Sequence, residues 1–420
     1  MKPISISLSP NVERDDVSLS LGLLFQPWKW KEGKEIKQIE EEVRKYIGVK
    51  YAVSFNSGRS SLMAILSALG VEKGGEVLLQ AFTCNAAANP IIWAGLVPIY
   101  VDCDKDSFNI DGNDLERKIG PNSRVLMVQH TFGLPADMDE IRAICERHRL
   151  ILIEDCAHSL GAEYRGQKVG TFGKAGFFSF GRDKIISSVW GGVVVTNDDK
   201  IAREVIGFRD GIKYPSLLWI KKQLLHPILM NYIVLPLYNI LDLGKIFLVL
   251  SQWLGLLSKA VHKKEKKGKN PGFFPEKMPN ALAILAINQF KKLSRFNTHR
   301  KELADYYSKE LKNTSFETPV DSPERKNVFL RYTVKHKNAH EIIYQAWHRQ
   351  NILVGDWYTN PVIPSDTNLE SVKYTLGSCQ TVERLSKTTL NLPTHINISK
   401  NDAQRIVDFL VKIDRDLVID

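Results

Sequence analysis

Cysteine is scarce in this 420-residue sequence, and its cysteines form no recognisable ligand or redox pair. Their odd number and scattered positions argue against a disulfide framework and against a zinc site, so no metal is predicted. No CxxC spacing occurs among the five, which are Cys84, Cys103, Cys145, Cys156 and Cys379. The first residues, MKPIS, lack an apolar run followed by a small-residue cleavage site, so no signal peptide is predicted and a reducing cytoplasm is expected.

Internal repeats and extended low-complexity tracts are also missing, and a hydrophobic content of 44% with 25% charged residues is typical of a globular protein. A chain of this length usually forms two domains. The net charge of +10 suggests an anionic partner, such as nucleotide phosphates, a nucleic acid or an acidic membrane surface. Nucleic acid is disfavoured, because the lysines cluster at residues 263–269 without the interleaved aromatic residues of a single-strand platform.

Strand and helix patterns alternate between residues 34 and 212, and this alternation indicates a mostly parallel sheet with helices on both faces. Ligands bind such sheets at the carboxyl ends of their strands. We expect an N-terminal arm at 1–33, a large α/β domain at 34–213, an apolar insert with a basic tail at 214–270, and a small α+β domain at 271–420. The predicted helices are 34–47, 60–69, 138–148, 280–290 and 298–311, and the predicted strands are 76–79, 97–101, 125–128, 150–153, 176–180 and 193–196.

Three features at predicted strand ends carry chemistry. Residues 55–61 (FNSGRSS) form a small-residue turn before a helix, which suits a phosphate cradle but equally a plain helix cap. Asp155 ends an apolar strand, where its carboxylate could keep a pyridine nitrogen protonated or cap the next turn. Lys184 follows an apolar strand among aromatic residues and glycines, a setting in which a lysine loses its proton readily and forms imines, although a surface lysine is the commoner alternative. All three features in this order and spacing arise by chance far less often than any one of them.

These residues belong to motifs that resemble the DegT/DnrJ/StrS family of fold-type-I pyridoxal-phosphate enzymes, most of which are nucleotide-sugar aminotransferases. The resemblance runs from about Trp30 to the C-terminus and is interrupted by the apolar insert. Its motifs are residues 57–62 (SGRSSL), 129–139 (QHTFGLPADMD), 154–158 (EDCAH), 178–180 (FSF) with Lys184 and 191–192 (GG), and 392–393 (LP).

The resemblance implies a role for each matching residue. Lys184 corresponds to the lysine that forms the Schiff base with the cofactor and later moves a proton, and Asp155 corresponds to the partner of the pyridine nitrogen. His158 stands where the family has glutamine or histidine near the phenolic oxygen of the cofactor. Ser179 corresponds to a phosphate-contacting serine, and residues 58–60 correspond to the phosphate-binding turn.

Four positions depart from the family pattern. Arg59 takes the place of a threonine in the phosphate-binding turn, so Arg59 or Ser60 is expected to replace that contact. Cys84 stands where an aromatic residue normally stacks on the cofactor ring, and it is kept as a cofactor-binding candidate. Residues 189–192 (VWGG) replace a Gly-Glu-Gly-Gly stretch. Residues 275–278 (PEKM) replace a segment that usually reaches the neighbouring subunit, so no cross-subunit phosphate ligand is assigned.

A lysine at position 184 favours amino transfer over the dehydration performed by relatives with histidine there. The expected reaction moves an amino group, by resemblance from glutamate, to a keto sugar that is nucleotide-linked or lipid-linked, in a homodimer that binds pyridoxal 5'-phosphate. The alternative is a membrane-associated regulatory or scaffold protein without turnover. Retention of Lys184, Asp155, His158 and Ser179 argues against it, because a scaffold needs none of them.

The insert at 214–270 leaves two alternatives open. Residues 223–241 contain no Lys, Arg, Asp or Glu, which is long enough to span a bilayer, but two prolines interrupt the run. Flanking lysines and several Trp and Tyr residues are typical of an interfacial or re-entrant hairpin at the inner face of the cell membrane. The other alternative is a helical hairpin buried against the main domain or a partner subunit.

Overall fold

A seven-stranded sheet forms the centre of the computed structural model, which describes residues 3–419. Its spatial order is β1-β7-β6-β5-β4-β2-β3, with β1 (Tyr51–Phe55), β2 (Glu76–Gln80), β3 (Val97–Val101), β4 (Ser123–Gln129), β5 (Ile151–Asp155), β6 (Ala175–Ser179) and β7 (Gly192–Thr196). Strand β7 runs antiparallel to both neighbours, and the other strands are parallel to one another. The segments that follow the parallel strands therefore meet at one edge of the sheet.

Both faces of this sheet are buried, because successive side chains of a strand point to opposite faces and both sets are apolar. In β4, Val125 and Met127 join one hydrophobic cluster, while Leu126 and Val128 join another. The helices are Arg14–Leu24, Glu35–Ile47, Gly58–Leu69, Asn85–Trp93, Gly112–Lys118, Met138–His148, Asp199–Gly211, Leu217–Leu229, Leu235–Leu237, Leu243–Trp253, Asn280–Phe290, Leu293–Glu310, Ala339–Gln350, Gln380–Thr388 and Lys400–Ile419.

The C-terminal part of the chain packs on the same core through short strand pairs. Tyr332–Lys335 pairs antiparallel with Thr389–Leu392, and Ile4–Ser5 of the N-terminal arm pairs parallel with Ile352–Leu353. Val362–Ile363 pairs parallel with Thr83–Cys84, just after β2. This last pairing brings the segment before residue 362 to the ligand edge of the central sheet. The remaining short strands are Glu163–Tyr164, Gln167–Lys168 and Arg325–Lys326.

The insert is partly buried. Ile220 and Leu224 of the helix Leu217–Leu229 lie in the core beside the sheet, and a small separate cluster contains Met230, Val234, Tyr238, Leu257 and Leu353. Within residues 3–419, no helix is both long enough and apolar enough to cross a bilayer.

The mostly parallel α/β sheet is confirmed, and the helices Met138–His148 and Asn280–Phe290 have their predicted bounds. The helix predicted at 60–69 begins two residues earlier, at Gly58, because the Ser57 side chain provides the N-cap. The helix predicted at 298–311 spans Leu293–Glu310. Strand β1 was given no bounds from the sequence, because its residues, YAVSF, mix apolar and polar side chains without a clear period.

Candidate active site

Residues at or shortly after the ends of β1, β2, β4, β5 and β6 line a cavity of about 150 Å³ at the carboxyl edge of the sheet. It contains seven of the eight predicted site residues, namely Gly58, Arg59, Cys84, Asp155, His158, Ser179 and Lys184. These residues lie between positions 58 and 184 of the chain, and the parallel topology brings them together in one site.

A phosphate cradle lies at one end of the cavity, where the helix Gly58–Leu69 begins. Ser57 Oγ accepts the N–H of Ser60 at 3.1 Å. The N–H groups of Gly58 and Arg59 precede the first intrahelical donors, so they remain available to an anion. A side chain at Gly58 would fill the cradle, because its Cβ would lie 3.2 Å from Cβ of Ser179. The geometry fits a phosphate between the helix N-terminus and the Ser179 hydroxyl.

Lys184 projects into the centre of the cavity. Its Nζ lies 5.2 Å from the centre of the Trp357 ring. Burial lowers the pKa of Lys184 to about 8, although Asp155, Cys84 and Asp183 partly oppose this shift. About one lysine in ten is then neutral at pH 7, against about one in several thousand at the ordinary pKa. A neutral primary amine is the form that attacks a carbonyl carbon.

The loop that carries Lys184 is hydrogen-bonded to the N-terminal segment of the chain. The Asn11 side-chain amide donates to the carbonyl oxygen of Lys184. Arg300, which is fully buried, donates to Asn11 Oδ1 at 2.7 Å and to the carbonyl oxygen of Ile185 at 2.9 Å. These contacts hold the lysine backbone in one position.

Asp155 ends β5 and is buried. The N–H of Ala157 donates to its Oδ1 at 3.0 Å. Burial raises the pKa of Asp155, while that hydrogen bond and the charges of Lys184 and His130 act in the opposite direction. A buried carboxylate that lacks a close cationic partner is well suited to a protonated pyridine nitrogen, because the new positive charge offsets the cost of its burial.

His158 is held neutral. Its Nδ1 accepts the N–H of Phe132 at 3.3 Å, which places the proton of the neutral ring on Nε2. Burial, followed by the charges of Lys184 and Arg331, lowers the pKa of His158 well below its usual value. The side chain therefore offers one N–H donor to the cavity, which suits a contact with a phenolic oxygen.

Cys84 lies in the cavity wall, and burial raises the pKa of its thiol. Two aromatic residues that sequence reasoning missed, Trp357 and Tyr358, line the same cavity. The Trp357 ring is stacked against His158 with the ring centres 5.4 Å apart, and the Arg331 guanidinium lies 3.4 Å from its centre. Both residues lie in the C-terminal part of the chain, and the pairing of Val362–Ile363 with Thr83–Cys84 brings them to the cavity. This long-range contact leaves no local signal in the sequence.

Ser60, the eighth predicted residue, does not line the cavity. Its hydroxyl donates to Asn56 Oδ1 at 2.6 Å, and the residue is fully buried. Arg59 lines the cavity, but its guanidinium pairs with the buried Glu265, with 2.6 Å between Nε and Oε2. The same guanidinium donates to the carbonyl oxygen of Ala260 at 3.0 Å. Arg59 thus ties the phosphate-binding turn to the basic end of the insert.

Removing the charge partner of Arg59 is expected to destabilise the fold. Glu265→Leu should lower the free energy of unfolding by about 3–5 kcal/mol, because it leaves a buried guanidinium unpaired. The double variant Arg59→Met/Glu265→Leu should recover most of the loss, since an apolar replacement of a buried pair is often neutral. Chemical denaturation measures both, and Asp305→Leu, in an exposed pair with Lys301, serves as the control. Equal stability of the single and the double variant would contradict this account.

Three buried polar atoms near Lys184 have no hydrogen-bond partner among the described residues: Arg182 Nε, Asp183 Oδ1 and Trp190 Nε1. Their residues line the cavity. Buried polar groups are normally satisfied, so these atoms indicate a polar ligand in the cavity. The phosphate cradle, the buried Asp155, the neutral donor His158 and the reactive Lys184 all fit pyridoxal phosphate.

Fold and site together define a fold-type-I enzyme with a pyridoxal-phosphate site. The chain belongs to the DegT/DnrJ/EryC1/StrS aminotransferase family, whose sequence profile matches residues 21–215 and 252–411. This membership confirms the resemblance, fold class and cofactor inferred from the sequence. Residues 216–251, within the insert, fall outside the match.

Two relatives illustrate the sequence similarity. GDP-perosamine synthase from Caulobacter vibrioides is 36% identical over 197 residues, which is 47% of this chain and 53% of the relative. The chain thus spans about half the length of that relative. UDP-N-acetyl-3-dehydro-alpha-D-glucosamine 3-aminotransferase from Acidithiobacillus ferrooxidans is 26% identical over 94% of this chain and 92% of its own length.

Solved structures share the fold over nearly the whole chain. Helicobacter pylori PseC, an aminotransferase involved in the biosynthesis of pseudoaminic acid, aligns with a TM-score of 0.76 at 21% identity, covering 99% of this chain and 100% of its own. Bacillus subtilis NtdA with bound PMP aligns with a TM-score of 0.75 at 23% identity, covering 99% of this chain and 85% of its own.

Proposed function

We propose that this chain is a pyridoxal-phosphate-dependent aminotransferase that moves an amino group from an amino acid, by family resemblance glutamate, to a keto sugar. The observation that carries the proposal is the convergence of Lys184, Asp155, His158 and Ser179 on one cavity. The names of the relatives, which include a GDP-linked and a UDP-linked sugar enzyme, support a nucleotide-linked or similar keto sugar as acceptor.

Each side chain has a defined task in this proposal. When bound, pyridoxal phosphate would supply an aldehyde carbon that accepts the amino group and a ring that withdraws electrons. Ser179 and the helix N-terminus at Gly58 would hold its phosphate, and Asp155 would keep the ring nitrogen protonated. His158 would donate a hydrogen bond from its Nε2–H to the phenolic oxygen. Lys184 provides the amine that binds the cofactor covalently and, when that amine is free, a base that moves a proton at Nζ.

Turnover with a panel of nucleotide-linked keto sugars tests the proposal, with mass spectrometry of the products. The expected product is an amino sugar that acquires nitrogen from labelled glutamate, while Lys184→Ala produces none. The scaffold alternative predicts a cofactor-free protein that produces no amino sugar from any member of the panel. No contact in the cavity favours that alternative.

A homodimer is the expected assembly, and the resemblance to the family supports it. The N-terminal segment also offers apolar surface for a second copy, because Phe25 and Trp28 are 74% and 73% exposed. Leu21, one helical turn before Phe25, is also exposed. Such side chains are uncommon on a free surface when they lie close together.

A lipid surface is the proposed partner of the insert. The helix Leu243–Trp253 and the residue after it expose apolar side chains at helical spacing, on one face: Leu243, Ile246, Val249, Leu250, Trp253 and Leu254. A helix that packs on its own protein buries its apolar face, whereas this helix exposes it. Trp253, for example, is 81% exposed. The exposed lysines at 259, 263, 264 and 267 follow directly and would attract anionic headgroups. The proposed site of action is the inner face of the cell membrane.

Val249→Glu is expected to weaken binding to vesicles by about tenfold or more, because it places a charge on the apolar face and opposes the anionic headgroups. Flotation with vesicles of phosphatidylcholine and phosphatidylglycerol measures the bound fraction. Val320→Glu is a matched control, since Val320 is 70% exposed and Val249 is 65% exposed. Equal binding by the two variants, or a change in oligomeric mass in place of vesicle binding, would contradict a lipid partner.

A further inference from the structure

One wall of the catalytic cavity is formed by a short stretch of the insert. Ala260 and Val261 line the cavity, and Ala260 is at the same time exposed to solvent. The wall is therefore only one chain thick at this point. We call residues 258–261 the strap. It lies between the apolar helix Leu243–Trp253 and the buried Glu265.

The strap is a loose segment between two fixed ends. Among the residues that the structure describes, no backbone group of the strap is hydrogen-bonded to another backbone group. Before it, Leu257 is buried in the small hydrophobic cluster of the insert. After it, Asn89 Nδ2 donates to the carbonyl oxygen of Glu265 at 2.9 Å. The strap can therefore change its conformation while both ends stay in place.

Two arginine side chains of the catalytic cavity hold the strap in its closed position. Arg182 Nη1 donates to the carbonyl oxygen of Ser258 at 2.5 Å, and its Nη2 donates to the Ser258 hydroxyl. That hydroxyl donates in turn to Gln223 Oε1 at 2.7 Å. Arg59 donates to the carbonyl oxygen of Ala260 at 3.0 Å. Because both arginines line the cavity, the strap is bound to the site that it covers.

The contacts that close the strap are few and polar. None of its four residues belongs to a hydrophobic cluster of the described chain, so opening the strap would expose little apolar surface. Burial lowers the pKa of Arg182 to about 10, and Asp183 partly opposes this shift. A guanidinium in such a setting needs hydrogen-bond acceptors, and Ser258 supplies two. Segments with few apolar contacts open at a low cost in free energy, whereas the core does not.

The closed cavity is too small for its reactants. It measures about 150 Å³, whereas pockets for small-molecule ligands usually measure about 300–1,000 Å³. The cofactor and a sugar cannot share it while the strap is closed. We propose that the strap opens to admit the reactants to Lys184 and closes again over them, with Arg182 and Ser258 as the contact that breaks and re-forms. The inference rests on the proposed function and identifies the moving part of its site.

The first measurement is the alkylation of Cys84 by iodoacetamide in the full-length, cofactor-free protein, followed by mass spectrometry. Cys84 lines the closed cavity, and the other four cysteines are buried and react only on unfolding. Ser258→Ala should accelerate alkylation of Cys84 alone by about tenfold, the usual scale of one hydrogen bond to a charged group. Ser251→Ala, which removes a hydroxyl bonded within its own helix, should react like the wild type.

The second measurement separates a moving strap from a contact that only shapes the closed site. Uptake and release of pyridoxal phosphate are followed by stopped-flow absorbance. Since Ser258 does not line the cavity, Ser258→Ala should raise both rates by about the same factor and leave Kd unchanged. A purely structural contact would raise the release rate and Kd while uptake stayed the same. That result, or equal alkylation of Cys84 in Ser258→Ala and Ser251→Ala, overturns the proposal.

Two further controls keep the outcome decisive. If Ser258→Ala reacts at all five cysteines and is therefore unfolded, Arg182→Lys weakens the same contact from the other side and replaces it in the alkylation measurement. Alkylation needs neither an amino acid nor a sugar, so it does not depend on amino transfer. Normal amino transfer with alkylation that ignores the strap variants would overturn the strap alone. Strap-dependent alkylation in a protein that transfers no amino group would overturn the aminotransferase assignment and leave the strap in place.

Discussion

Lys184→Ala is expected to reduce amino transfer by at least about 10³-fold. Lys184 carries the only primary amine among the described residues that line the catalytic cavity, so no neighbour can replace it. Its pKa of about 8 means that the substitution also removes a base that is partly neutral near physiological pH. The rate of amino-sugar formation and the visible absorption of the bound cofactor measure the effect together.

A matched control separates this loss from a general effect of removing a lysine. Lys309→Ala removes an ammonium whose side chain is 82% exposed and paired with Glu310, so it should keep wild-type activity and colour. A Lys184→Ala protein that retained more than about a tenth of the wild-type rate would contradict the assignment of Lys184 as nucleophile and proton carrier.

Asp155→Asn is expected to reduce the catalytic rate by about 10²–10³-fold, the usual effect of removing a group that stabilises charge in a closed site. The amide keeps the size of the carboxylate but cannot hold a pyridine nitrogen protonated. Steady-state kinetics measures the loss, and Asp305→Asn, which alters an exposed carboxylate, should leave the rate unchanged.

The stability of the cofactor-free protein shows whether the role of Asp155 is structural. Burial raises the pKa of Asp155, so its ionised form destabilises the folded state near neutral pH. Asn at this position should therefore leave the thermal midpoint of the cofactor-free protein unchanged or slightly higher. A fall of several degrees together with the lost activity would indicate that Asp155 supports the fold and not the cofactor.

The sequence was informative wherever function depends on strand order. Asp155 and Ser179 end neighbouring parallel strands, and parallel strands must bring their carboxyl ends together. Motif order along the chain was therefore enough to predict one site at one edge of the sheet. The same rule explains why Gly58 and Lys184 reach this edge, because each residue lies within a few positions of the end of a strand.

The remaining parts depend on contacts between distant segments. Arg59 occupies the position of a phosphate-binding residue in the turn. Its guanidinium nevertheless forms an ion pair with Glu265, which lies more than 200 residues later in the chain. Trp357 reaches His158 through packing of the C-terminal part of the chain. Neither pairing has a periodic or compositional signal, because both are selected by tertiary packing alone.

The insert has both a buried and an exposed set of apolar side chains, and its composition left open which of the two to expect. Ile220 and Leu224 are buried in the core, whereas Val249 and Trp253 face outward. Apolar content alone could not separate a buried stripe from an exposed one, because both raise hydrophobicity equally. The division became clear only when each helix could be assigned a packed face.

The central claim, that this chain transfers amino groups with pyridoxal phosphate, is tested most directly by a single half-reaction. Purified protein loaded with the cofactor is mixed with excess glutamate and no acceptor, and 2-oxoglutarate and visible absorption are followed together. The account predicts one 2-oxoglutarate per bound cofactor with loss of the visible colour, and neither change in Lys184→Ala. A wild-type protein that takes up no pyridoxal phosphate, or that stays coloured and forms no keto acid with glutamate or any other amino acid, would contradict it.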